Sequence, residues 1–216
     1  TVTITMSAAT GDIWDGTTMT EPKKYSDSGY LIGTGPELAW FASNHNGASA
    51  ILTADVSLGG FGVSINSFAG TFDGNGHYIT DFYGKASLFC NPADGAVIKN
   101  LGIIGEINSS STVGGIATDG SNGSRNFTVE NCVSRVEIIG GTASGGIVGG
   151  FASETIKNCY NTGSVTLQGG SSYTGGIAGV NADDKSGTIR NCYNIGTVTD
   201  YSIVYPIMGT NRNNYA

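Results

Sequence analysis

Residues 156–166 read IKNCYNTGSVT and residues 189–199 read IRNCYNIGTVT, the same phrase with Lys157, Thr162 and Ser164 replaced by Arg190, Ile195 and Thr197. Aligning on the Asn adds two earlier copies, IKNLGIIGEI from Ile98 and VENCVSRVEI from Val129. Asn100, Asn131, Asn158 and Asn191 are then separated by 31, 27 and 33 residues, and a period in that range marks a solenoid, propeller or array. A second block trails each Asn: GGIAT from Gly114, GGIVG from Gly145, GGIAG from Gly175, and YPIMG from Tyr205, which keeps only the Ile and the last Gly.

The repeat has no apolar 3.6-residue periodicity long enough for a helix, and its β-branched residues come in short runs cut by Gly, Asn and Ser. A unit of roughly 30 residues is too short for a propeller blade but fits three short strands and three turns, one coil of a parallel β-helix. In-register stacking places equivalent residues about 4.8 Å apart in columns. Ile98, Val129, Ile156 and Ile189 are predicted to face inward, and Lys99, Glu130, Lys157 and Arg190 outward. Glu130 between two lysines relieves like-charge stacking. The Asn column is predicted to form a bend with stacked side-chain amides, because Asn tolerates left-handed backbone angles. Cys132, Cys159 and Cys192 follow it in an inward column with Leu101, where Cys acts as a small hydrophobe. Side chains on parallel rungs point the same way, so disulfides are not expected. Cys90 lies outside that column and is expected to be a free thiol.

These residues resemble the GLUG-motif repeats of bacterial surface proteins and, more widely, the right-handed parallel β-helix of the pectate-lyase-like class, in which IxNL or IxNC marks a strand, an Asn bend and the next strand. The resemblance implies an all-β solenoid on a cell surface or in a secreted protein. The leader segments YLIGTGPELAWFA (30–42), ILTADVSLGG (51–60) and FAGTFDGNGHYITDF (68–82) are similar to those preceding such repeats. Thr34 three residues before Glu37, with Pro36 between, forms a capping-box pattern that predicts a short helix over 36–44. That helix is expected to plug the open end of the solenoid with Trp40 and Phe41. Residues 1–50 therefore read as an N-terminal strand and helix cap, and 51–216 as coils of one continuous domain. Pro206 suits an edge strand, so the solenoid either stops there or continues in a longer multidomain chain. Beginning at Thr1, the sequence reads as a mature secreted form or a piece of a larger protein.

Composition narrows function by exclusion. A net charge of −7 with only 12% charged residues argues against nucleic acid and anionic membrane as partners, and no apolar run is long enough for membrane insertion. No motif demands a cofactor. Two histidines, His45 and His77, are too few for a zinc site. DGNGH (73–77) lacks the EF-hand spacing, and the acidic loops at 10–16 and 182–185 read as solvated surface. The outward positions next to the bend, continuing through Gly102, Val133, Tyr160 and Tyr193, offer no stacked carboxylates. Asp73 with Asp81 is the one leader pair that a glycosidase reading can nominate. Tyr160 and Tyr193, flanked by Asn161 and Asn194, form a two-rung aromatic ladder that could stack on sugar rings or simply brace the sheet. The favoured expectation is a non-catalytic extracellular module for adhesion or glycan binding, its partner a glycan or a host or bacterial surface protein. The alternative is a β-helical polysaccharide lyase or glycoside hydrolase using leader-loop carboxylates.

Overall fold

The computed structural model describes residues 12–45, 47–120, 125–141, 143–168, 173–180, 187–199 and 207. The first elements among the described residues are a hairpin of β1 (Lys23–Ser26) and β2 (Gly29–Ile32), then helix α1 (Gly35–Asn44). The first coil is β3 (Ser49–Leu52), β4 (Val56–Phe61) and β5 (Ile65–Asn66). The second is β6 (Thr71–Asp73), β7 (Tyr78–Gly84) and β8 (Phe89–Cys90). The third is β9 (Val97–Lys99), β10 (Gly102–Asn108) and β11 (Ala117–Thr118), and the fourth β12 (Thr128–Glu130), β13 (Val133–Gly140) and β14 (Val148–Phe151). The fifth is β15 (Thr155–Lys157), β16 (Tyr160–Asn161), β17 (Val165–Leu167) and β18 (Ala178–Val180). The sixth begins with β19 (Thr188–Arg190), β20 (Tyr193–Asn194) and β21 (Val198–Thr199).

Each strand pairs in parallel with its copy in the next coil, giving three sheets in a right-handed parallel β-helix. The first sheet runs β2-β3-β6-β9-β12-β15-β19 with antiparallel β1 on its edge, the second runs from β4 to β20 and β21, and the third from β5 to β18. Its parallel ladder is already under way at β2, before the helix. Val129 pairs with Ile98 and Ile156, and Ile156 with Ile189, as the column reading requires. Ile98, Val129 and Ile156 are fully buried. The GGI blocks form the tight entry to the third sheet, where Gly145 bridges Gly114 and Gly175. A Cβ on Gly145 would lie 2.2 Å from the Val148 carbonyl oxygen, so no side chain fits. The backbone N–H groups of Ile177 and Ala178 donate to the carbonyl of Ile207, which places the Ile of YPIMG on the next rung of that sheet.

Four asparagines make the predicted bend. Asn100, Asn131, Asn158 and Asn191 have φ between 52° and 54°, in the left-handed region that most side chains avoid. Their amides form one ladder: Asn191 donates to Asn158 (3.1 Å), Asn158 to Asn131 (3.0 Å) and Asn131 to Asn100 (3.1 Å). Asn100 ends it by donating to Asp73 Oδ1 at 2.9 Å. Outside the bend, Lys157 pairs with Glu130 and Lys99 with Asp73. Cys132 and Cys159 are buried, Cys192 and Cys90 partly so, and all four are free thiols.

At the other end α1 carries the capping box foreseen in the sequence, with Glu37 N–H donating to Thr34 Oγ1 and Glu37 Oε2 accepting from Thr34 N–H. Phe41 is fully buried and meets Phe68 and Phe72 edge-on at 6.3 and 6.1 Å, and Phe89 closes the cluster at 5.1 Å from Phe72. Burying each such ring contributes roughly 1.5–3 kcal/mol. Trp40 is only partly buried and leans on Tyr30; Phe41 is the deeper plug.

Candidate functional site

The second sheet has the longest strands, β7, β10 and β13, and its outer face is free of any covering helix or strand among the described residues. Its outward positions follow from register. One row is Tyr78, Gly102, Val133, Tyr160 and Tyr193. The ring of Tyr78 lies across Gly102, where a Cβ would come within 2.2 Å of it, and the Arg135 guanidinium sits over the same ring at 5.4 Å. A second row is Tyr83, Glu106 and Glu137, paired residue to residue.

Between the rows a groove of about 280 Å³ is lined by Asp81, Tyr83, Glu106, Arg135 and Glu137, with Ile104 and Gly105 as its floor. A β-bulge shapes it. Ile79 and Phe82 pair with Ile103 and Gly105, so Thr80 and Asp81 together face Ile104, and Asp81 takes a φ of 53°. Such a bulge re-aims side chains, and here Asp81 turns outward, where Ser57 and Thr80 hydroxyls donate to its carboxylate at 2.6 and 3.1 Å. Gly105 is obligatory because a Cβ would lie 2.0 Å from the Phe82 carbonyl oxygen.

Glu106 and Glu137 are stacked carboxylates further along the strands than the bend-adjacent positions, where the sequence offers none. They are directly opposite on neighbouring parallel strands, about one strand spacing of 4.8 Å apart. Like charges so placed cost stability. The signal was present in the repeat, since both residues stand six positions after their Asn.

The nominated aromatic ladder exists in altered form. Tyr160 and Tyr193 stack with ring centroids 5.0 Å apart and planes inclined by 2°. The rings therefore cover each other's faces and offer solvent their edges, plus the far face of exposed Tyr193. Asn161 leaves the candidate face altogether. It is fully buried, donating to the Gly163 carbonyl and to Asn194 Oδ1 while its own Oδ1 accepts from Gly163 N–H. Asn194 makes the same local bonds around Gly196. Both amides are strand-break braces between β16 and β17 and between β20 and β21.

Asp73 and Asp81 serve separate networks. Burial would raise the Asp73 carboxyl, but hydrogen bonds from Asn100 and Asn75 and the nearby Lys99 outweigh it and hold the group below the ordinary carboxylate value. Asp73 belongs to the first sheet and Asp81 to the second. His77 Nδ1 lies 3.1 Å from Asp55 Oδ1, and His45 contacts the Asn66 carbonyl and Gly47 N–H. Burial pushes His45 below the usual histidine value. No group of three or more His, Cys, Asp or Glu is arranged to hold a metal ion among the described residues. The loop 182–185 lies outside them, and no described helix is long and apolar enough to cross a membrane.

The profile of the family described as the GLUG motif matches residues 170–199. The chain is also similar to a crystal structure of a "putative immunoglobulin A1 protease" from Bacteroides ovatus, with 26% sequence identity and a TM-score of 0.62 over 82% of this chain. The match spans 64% of that protein's chain. No curated protein matches significantly. Motif and solved structure agree with the β-solenoid seen here.

Proposed function

We propose that the chain is a non-catalytic extracellular module of a bacterial surface or secreted protein, and that it binds a glycan along the outer face of the second sheet. The observation that carries this reading is the groove in which Glu106 and Glu137 stand side by side against Arg135 and Tyr83. Carboxylates accept pairs of sugar hydroxyls, a guanidinium donates in a fixed fork, and a tyrosine adds an apolar ring with a polar tip. Successive rungs repeat such groups at about 4.8 Å, so every second rung spans about 10 Å along an extended polymer. Glu137 and Arg135 are exposed and Glu106 is half-buried. An open, hydrated groove of this kind suits reversible binding better than bond cleavage, which is helped by excluding water.

A second reading draws on the same pair. Two glutamates directly opposite on neighbouring strands, with backbones about 4.8 Å apart, are near enough for their carboxyls to take up the roughly 5–5.5 Å separation of retaining glycosidases, so a hydrolase would use Glu106 and Glu137 rather than Asp73 and Asp81. A protease reading finds less support, since the hydrogen-bond partners of His77 and His45 are Asp55, Asn66 and Gly47, and none of them is a Ser or Cys nucleophile.

A glycan array read beside reducing-sugar release from the same glycans separates these readings. Binding without release, weakened about tenfold or more by Glu106→Gln or Glu137→Gln and by Tyr83→Ala, is the expected result. Release abolished by either Gln substitution would establish the hydrolase instead. Absence of both would reject a glycan role for this face.

A further inference from the structure

Arg135 has two places to go, and the structure shows which one it takes. It stands mid-way along the outward row of β13, with Ile104 as its register partner on β10. Two residues toward the start of the strands is the rung of Tyr78 and Gly102, and two residues toward their end is the rung of Glu106 and Glu137. Two residues cover about 7 Å along a strand, so the long side chain of Arg135 can reach either way. Its guanidinium sits over the Tyr78 ring, 5.4 Å from the centroid. No ion pair joins it to either glutamate among the described residues, although on the first sheet Glu130 and Asp73 each hold a lysine.

The seat under Arg135 is built from three strands. The Tyr78 N–H donates to Asp55 Oδ1 at 2.9 Å, and the same oxygen meets His77 Nδ1 at 3.1 Å, which fixes the root of the ring beside β4. The ring then lies across β10 at Gly102, where a Cβ would come within 2.2 Å of it. Any other residue at 102 would lift the ring away from β13.

A cation over an aromatic face and an ion pair open to water are attractions of similar, small size. A well-placed ring therefore decides between them. We propose that Tyr78 is a positioning residue for the groove: by seating the Arg135 guanidinium it keeps that cation from closing onto Glu106 and Glu137, and so leaves both carboxylates open to a ligand. This deepens the glycan reading of the second sheet and rests on it for its purpose, while the seat itself stands on geometry alone. It also explains why the unfavourable stacking of two like charges goes unrelieved on a surface that has an arginine within reach. An arginine already held in place loses less side-chain freedom when it meets a ligand.

Carboxyl labelling of the intact chain with a carbodiimide and glycine ethyl ester, read residue by residue by mass spectrometry, tests the seat without any glycan. Glu137 is exposed, and it should label at the same rate in the wild type and in Tyr78→Phe, which keeps the ring. In Tyr78→Leu, which removes it, labelling of Glu137 should slow by about threefold, and adding Arg135→Gln to that variant should restore the wild-type rate. Unchanged labelling in Tyr78→Leu would overturn the proposal. So would slowing that persists without Arg135, since Tyr78 would then act through the fold. Should the Leu variant fail to fold, proton NMR of the wild type decides: Arg135 Hδ signals moved upfield by the ring support the seat, and unshifted signals refute it. Affinity for the strongest array glycan reads the consequence, with a loss of about tenfold in Tyr78→Leu and none in Tyr78→Phe. Equal affinity in all three proteins would remove Tyr78 from recognition. A wild type that binds no glycan would reject the glycan reading, and the labelling would still decide the seat.

Discussion

At the scale of single residues, Asn131 does two jobs that substitutions can separate. It holds φ at 54° and both donates to and accepts from its ladder neighbours. Asn131→Gly relieves the backbone and loses only the ladder, so it should cost about 1 kcal/mol, whereas Asn131→Ala adds strain and should cost about 2–3 kcal/mol. Urea denaturation of the two variants measures the difference; equal losses would mean the left-handed bend carries no strain. The thiols invite a second check. Cys132 and Cys159 are buried, and the Cys159 thiol is pushed well up, first by its contact with Cys132 and also by burial. Native labelling should be slow at both, and unfolding without reductant should expose all four cysteines; recovery of a disulfide-linked peptide would contradict the inward column. These residues were legible because each position is written several times. The fully buried Glu154 was not, because it occurs once and no neighbouring coil repeats it.

At the scale of elements, the helix cap and the bulge make opposite lessons. The capping box of α1 is a local code, legible in Thr34, Pro36 and Glu37 alone, and Thr34→Ala should cost about 1 kcal/mol without altering the proposed glycan face. The bulge at Thr80 and Asp81 arises only when β7 meets β10, and the leader carries no repeat to announce it. It sets the floor of the groove at Gly105. Gly105→Ala forces a methyl toward the Phe82 carbonyl, and should destabilise by about 1–3 kcal/mol and weaken glycan binding together. Unchanged binding in that variant would detach the groove from the function. The Tyr160–Tyr193 stack was foreseen as a ladder, but the orientation of its rings was not, since alignment gives register and not side-chain torsion. Strict stacking turns the ring faces toward each other, so the proposed recognition rests on the carboxylates and Arg135 rather than on those rings.

At the scale of the whole molecule, the three-sheet solenoid follows from the period and the inward columns, while the proposed functional face follows from what remains outside them. The first sheet's outer positions are used by the Asn ladder and the Lys–Glu and Lys–Asp pairs, and the described third-sheet strands are short and largely buried. Among the described residues the second sheet combines long strands, exposed polar side chains and a groove. Hydrogen–deuterium exchange of the chain with and without its strongest array glycan tests that assignment most directly. Protection is expected in residues 78–84, 102–108 and 133–140, with the first and third sheets unchanged; protection confined to the strands of the first or third sheet would contradict it.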